Sequence, residues 1–178
     1  MNMTILAARK YVSPRERPLT PEEADTRRLA YALKVPTDEA IWDCATEMAA
    51  MIPSSEEIIL SPIPSSTGDL DANRALANRI AGHLKIRGCK VYVRITVARM
   101  HPVESSCARR RKGGVGLAPE EHAMIRVCGP ISLAPLYFVD NVVTTGNTME
   151  AARAAMGYGD GIVFADAASK FNQKEVLP

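Results

Sequence analysis

Apolar positions fall at helical spacing in the first third of the chain, and then alternate between strand and helical spacing. The first 18 residues are mixed, hold Pro14 and Pro18, and are read as an arm or hood element. Thr20-Pro21-Glu22-Glu23 reads as a helix start: Thr20 caps, Pro21 suits the first helical position, and Glu23 completes a capping box. Leu29, Ala30 and Leu33 supply its apolar face, and Val35-Pro36 ends it. Thr37 caps a second helix with Ile41, Cys44, Ala45, Met48 and Ile52 on one stripe, and Trp42 is assigned to that core. From Glu57 the period changes. Ile58-Ile59-Leu60, bounded by Pro62 and Pro64, predicts a buried strand and then a loop. Asp69 caps a helix over 70–84, with Ala77, Ile80, Ala81 and Leu84 recurring, and Gly88 ends it. Val91, Val93, Ile95 and Val97 alternate with Tyr92, Arg94 and Thr96 as one strand. Residues 99–118 are polar and glycine-rich, and Ala118-Pro119-Glu120-Glu121 opens a short helix. A strand over Leu136–Val143, a helix over Asn147–Met156 and a strand over Ile162–Ala165 complete the order.

This alternation predicts an α/β fold, a parallel twisted sheet flanked by helices on both faces. Ligands in such sheets bind beyond the carboxyl ends of the strands. Those loops are 61–68, 99–118 and 144–148. The expected organisation is an N-terminal helical hood or arm over 1–56, a core over 57–168 and a tail over 169–178.

Composition narrows the class without naming a function. The 178 residues amount to one domain, and 47% apolar with 24% charged residues excludes a disordered or collagenous chain. A charge of +2 and a pI near 8.4 are too mild to argue for nucleic acid. No stretch approaches the ~18 apolar residues of a membrane span, and Met1 to Lys10 lacks the pattern of a secretory signal. Cys44, Cys89, Cys107 and Cys128 are scattered without a C-x-x-C pair, which speaks against a zinc ribbon and for reduced thiols in a cytoplasmic protein.

The richest stretch is Leu136-Tyr137-Phe138-Val139-Asp140-Asn141-Val142-Val143-Thr144-Thr145-Gly146-Asn147-Thr148. An apolar strand runs into an acid, then into threonines and a glycine, then into a helix. Gly146 lets the backbone approach a ligand, and Thr144, Thr145 and Thr148 carry hydroxyls. The amides of 144–148 lie at a helix N-terminus, where orphan N–H groups favour an anion. Asp140 can accept from sugar hydroxyls or coordinate Mg²⁺ through oxygen. An ordinary strand–turn–helix connection would account for the apolar run and Gly146, but not for Asp140 together with three threonines.

Those thirteen positions resemble the 5-phosphoribosyl 1-pyrophosphate (PRPP) signature of type I phosphoribosyltransferases: four apolar residues, two acids, two apolar residues, then T-T-G-x-T. The resemblance implies the family's Rossmann-like fold, PRPP as substrate with Mg²⁺, and transfer of the phosphoribosyl group to a nucleobase-like acceptor with release of pyrophosphate. By that resemblance Val143, Thr144, Thr145, Gly146, Asn147 and Thr148 hold the 5′-phosphate. Asp140 and Asn141 take the place of the acids on the ribose, with Asp140 toward the metal. Asn141 departs from the family, which usually has a second acid; asparagine keeps hydrogen-bonding capacity but loses a charge. Two readings stay open: an active enzyme that tolerates Asn141, or a PRPP- or nucleotide-binding accessory protein without turnover.

Leu60 to Asp69 sits where the family binds pyrophosphate, and Ser65, Ser66, Thr67 and Gly68 are small and donor-rich, as an anion nest requires. The P-x-P of this loop and Asn73-Arg74-Ala75 in the following helix resemble the competence-associated (ComF-type) branch, whose N-terminal zinc cysteines this chain lacks. Type I enzymes carry a mobile loop at the position of 99–118, which here holds Arg99, His101, Arg109, Arg110, Arg111 and Lys112. Arg99, Arg109 and Lys112 are its candidate contacts to leaving pyrophosphate. A solvated charge run is the plain alternative. A nucleic-acid face is another, since Lys85 to Lys112 holds nine Lys/Arg and one acid, but no aromatics interleave in the loop for stacking. His83 and His122 are read as surface residues on helices, and Asp166 as a residue at the end of the last strand, where the family lines its base pocket. The resemblance adds a homodimer as a family-level expectation.

Overall fold

The computed structural model describes residues 3–13, 17–34, 36–104, 108–109, 112–114, 117–128 and 134–167. Its elements are β1 (Ile5–Lys10), α1 (Pro21–Ala32), α2 (Asp38–Met51), β2 (Glu57–Pro62), α3 (Asp71–Ile86), β3 (Lys90–Val93), β4 (Val97–Arg99), a 3₁₀ turn (Pro119–His122), β5 (Met124–Arg126), β6 (Leu136–Val143), α4 (Asn147–Met156) and β7 (Asp160–Asp166). Five strands form a parallel sheet in the order β1-β7-β6-β2-β3, and β4 and β5 form a separate antiparallel ribbon.

Alternation along the central strands decides the layers. Ile58 and Leu60 of β2 pack with Leu76, Ala77, Ile80 and Leu84 of α3 and with the apolar stripe of α2. Ile59 of β2 and Phe138 of β6 pack with Met149, Ala152 and Met156 of α4. Neighbouring residues of one strand thus serve opposite faces, and helices cover both. The expected caps hold at α1, where Thr20 and Glu23 form the capping box, and at α2, where Thr37 accepts from Ala40 N–H. At α3 the cap position is Leu70; Asp69 accepts the Asp71 N–H from one residue further out.

Three expectations need correction. The described residues of the 1–56 segment do not stand apart from the sheet: β1 is an edge strand of the same sheet, parallel to β7, and α2 packs on α3, β1 and β7. Arg9 of β1 ties this region together, donating to Asp25 of α1 at 2.9 Å and through two nitrogens to Glu47 of α2. Second, the strand expected over Val91–Val97 breaks after Val93. Arg94 N–H donates to Leu60 O, but the next rung needs an N–H from Pro62, which has none. The buried Ser61 hydroxyl instead meets that of Thr96 at 2.7 Å, and the chain turns into the ribbon. Third, Trp42 is half exposed on α2. It stands one residue, hence a ~100° turn, past Ile41 of the stripe, and it packs against the Arg79 guanidinium and the edge of His83. The tail expected over 169–178 lies outside the described residues, as do Cys107, Arg110, Arg111 and Gly116. No described helix is long and apolar enough to cross a membrane.

Candidate functional site

From β2 the chain passes through α3 on one face to β3; from β6 it passes through α4 on the other face to β7. The two adjacent strands therefore send their connections in opposite directions, and a crevice opens between the loops that follow them. Of the three loops singled out from the sequence, 61–68 and 144–148 border this crevice. The third joins the strands of the β4–β5 ribbon.

The floor of the crevice is a sheet ladder that stops. Ile63 N–H donates to Val139 O at 3.0 Å. The next rung of a parallel pair would join Asn141 N–H to Ile63 O. Instead the Asn73 amide nitrogen donates to Ile63 O at 2.8 Å and to Asp140 Oδ1 at 3.0 Å, while Asn141 N–H donates to the same Oδ1 at 2.8 Å. Desolvation pushes the Asp140 carboxyl above its ordinary value; the two N–H donors and the charge of Arg99 oppose that rise without cancelling it. Asn141 Oδ1 accepts Val142 N–H at 2.7 Å, so this side chain partly serves its own backbone.

On the β6 side, Gly146 takes φ +82° as the residue before α4, in the left-handed region that side chains disfavour. No side chain caps α4. Thr144 and Thr145 are exposed, and Asn147 and Thr148 half-buried, around the helix N-terminus. Val143 is buried, and its carbonyl accepts Ala167 N–H at 2.8 Å, so it is a scaffold residue of the cradle. Asn147 Nδ2 donates to Leu117 O at 2.6 Å and anchors the end of the long segment.

On the β2 side, residues 65–69 close on themselves. Ser65 N–H donates to Asp69 O and Gly68 N–H to Ser65 O, at 2.7 and 3.0 Å. The Ser65 and Thr67 hydroxyls meet at 2.9 Å, and Asp69 N–H donates to Ser65 Oγ at 3.1 Å. The predicted nest is thus a preformed turn in which the Ser65 and Gly68 amides already have partners. Ser66 O accepts Val103 N–H at 2.8 Å, linking the turn to the long segment.

Arg99 was expected in a mobile loop; it is the last residue of β4 and is clamped. Nε donates to Ser65 O at 2.5 Å, Nη1 to His122 O at 2.8 Å and to His122 Nδ1 at 3.3 Å, and Nη2 to Pro64 O at 3.4 Å. Burial pulls its pKa down, against the attraction of Asp140. Arg99 thus fixes the 64–65 backbone and lends charge to Asp140. Arg109 pairs with Glu121 at 2.8 Å and Lys112 with Glu104 at 2.6 Å, so both side chains are engaged with carboxylates. His122, expected on the surface, is 3% exposed. The bond from Arg99 makes its Nδ1 an acceptor and puts the imidazole proton on Nε2. Burial, and then the Arg99 charge, hold His122 below its ordinary pKa.

Sequence reasoning did not assign Asn73 and His122 to the site. A short amide side chain in the first turn of a helix, just after a strand-end loop, was the available signal for Asn73; nothing in the sequence marked His122. Among the described residues no group of three or more His, Cys, Asp or Glu side chains converges as a metal site. Asp140 alone fits Mg²⁺ only as one carboxylate beside oxygens brought by a phosphorylated ligand. Comparison with protein-family models and with curated proteins finds no match to this chain.

Proposed function

We propose that this protein is a Mg²⁺- and PRPP-dependent phosphoribosyltransferase acting on a nucleobase-like acceptor. The observation that supports it best is the placement of Asp140 and the 144–148 cradle on one side of the β2–β6 crevice, with the 65–69 turn on the other. A phosphorylated sugar with a second phosphate group needs an anion site at each end and an acceptor for its hydroxyls between them, an order with which this arrangement is compatible.

In the proposed reaction the bond from C1 of the ribose to pyrophosphate oxygen breaks, with the electron pair leaving on pyrophosphate. A ring nitrogen of the acceptor forms the new bond to C1 and gives up its proton to solvent. Little acid–base work is asked of side chains; orientation and charge placement carry the rate. The N-terminal amides of α4 and the hydroxyls of Thr144, Thr145 and Thr148 hold the 5′-phosphate. Asp140 accepts from ribose hydroxyls and would hold Mg²⁺ together with oxygens of the phosphorylated ligand; the ion would supply charge to stabilise the departing pyrophosphate. Arg109 and Lys112 stand in exposed ion pairs worth ~0–1 kcal/mol, which a polyanion can displace.

The test is incubation with PRPP, Mg²⁺ and a panel of nucleobases while following pyrophosphate release, with PRPP-dependent melting shifts alongside. The reading requires release with at least one base and loss of the PRPP melting shift in Asp140→Ala. A shift that persists unchanged in that variant refutes the sugar site. The second reading, a non-catalytic PRPP-binding protein, is motivated by Asn141, which lacks the charge and whose Oδ1 is engaged by Val142 N–H. It predicts a melting shift with no release; Asn141→Asp raises turnover if the missing charge is what limits an active enzyme.

A further inference from the structure

We propose that Asn73 is a positioning residue for the sugar site, joining the Asp140 carboxylate and the Ile63 carbonyl into one hydrogen-bonded unit where β2 and β6 part. The contact is a feature of the fold; what Asp140 grips rests on the phosphoribosyl reading.

The argument starts from the missing rung. Where Asn141 N–H would have met Ile63 O, both backbone groups are satisfied by side chains: Asp140 takes the N–H and Asn73 satisfies the carbonyl. The two side chains are then joined to each other at 3.0 Å, across 67 residues of sequence. Without this substitution the crevice would open at the cost of two unpaired backbone groups, ~1–3 kcal/mol each when buried. The chemistry at position 73 is demanding. Two oxygens, a carbonyl and a carboxylate, need two protons from one nitrogen at short reach. An aspartate of the same shape would present oxygen to both, and a serine has one proton to give. The same two acceptors fix which way the Asn73 amide faces.

The consequence for Asp140 is orientation. Asn73 and Asn141 N–H both converge on Oδ1, so Oδ2 is the oxygen that neither holds. A carboxylate held through one oxygen offers the other at a set place, and small misplacements of such groups cost large factors in binding and rate.

The experiment uses the whole chain and two readouts. Ribose 5-phosphate affinity is measured by calorimetry in wild type, Asn73→Asp, Asp140→Asn and the double variant. Asn73→Asp should weaken binding about tenfold, the equivalent of ~1.4 kcal/mol, and the loss should nearly vanish in the Asp140→Asn background because Asn73 acts through that carboxylate. Equal losses in both backgrounds would overturn the proposal. The ligand-free readout is the backbone amide of Asn141 by NMR. In Asn73→Asp, or in Asn73→Ser should the aspartate not fold, its resonance should move and its hydrogen exchange should quicken; an unchanged amide overturns the proposal. Wild-type protein that binds no ribose 5-phosphate refutes the phosphoribosyl reading, and the Asn141 amide then decides the role of Asn73 alone.

Discussion

Replacing Arg99 by methionine separates a structural clamp from a ligand-seeking loop residue. The guanidinium makes two short contacts, to Ser65 O at 2.5 Å and His122 O at 2.8 Å, and two at the limit of bonding distance. Hydrogen bonds from a charged donor contribute ~1.5–3 kcal/mol each, so the two short ones give roughly 3–6 kcal/mol. Part of this is offset by taking the guanidinium out of water, which its lowered pKa reflects. Methionine keeps much of the apolar stem, so the net loss should be about 2–3 kcal/mol. For a chain of this size each kcal/mol moves the melting temperature by ~2–4 °C. Calorimetry of Arg99→Met should therefore show a fall of roughly 5–10 °C in the ligand-free protein. Arg99→Lys should recover less than half, because one ammonium cannot span carbonyls on two segments. A fall under ~2 °C, or full rescue by lysine, refutes the clamp; a mobile arginine that meets only ligand leaves the free protein's melting temperature unchanged.

His122 should make the protein acid-sensitive. Its native pKa is lowered, so the unfolded chain binds more protons below the ordinary value of 6.5, and the stability that neutral His122 contributes is present above that value and lost as pH falls toward the native pKa; His122→Gln should flatten this part of a melting-temperature profile, and an unaltered slope there contradicts the burial argument. Asp140 carries the opposite sign. Its native pKa is raised above 3.8, so stability is greatest with the carboxyl protonated and falls as pH rises through the native value; Asp140→Asn should melt higher than wild type at pH 7 while losing affinity for ribose 5-phosphate. Gly146→Ala should cost ~1–2 kcal/mol, since φ +82° is left-handed, while the new methyl would meet Ile5 Cδ1 only at an ordinary contact distance of 3.5 Å. Chemical denaturation measures it, and a loss below ~0.3 kcal/mol contradicts that backbone strain.

The elements of the parallel sheet and its helices were legible because each states its period over several turns or rungs: β6 and α4 run over the residues their patterns predicted. The break after Val93 was not, because it depends on a missing proton in a neighbouring strand, Pro62, rather than on residues 91–97 themselves. The same holds for β1, whose weak pattern between residues 5 and 10 becomes a strand only by pairing with β7. In the candidate site, Asp140 and the threonine cradle could be read from a local run. Arg99 was placed in the right neighbourhood with the wrong job, since carbonyl partners contributed by Pro64, Ser65 and His122 leave no mark in the sequence around it. His122 looked like a surface histidine for that reason also.

The register of β1 bears on how the molecule is made. Ile5 stands opposite Gly161 and Lys10 opposite Asp166, so β1 finds its partner only after the distant segment that carries β7 has been made. Until then the growing polypeptide must carry Ile5 and Leu6 without a docking place, and closure of that edge awaits the slowest kind of encounter, one between distant segments. Completion of the sheet therefore waits on the synthesis of β7, and until then the growing polypeptide carries an unpaired edge within reach of chaperones and proteases.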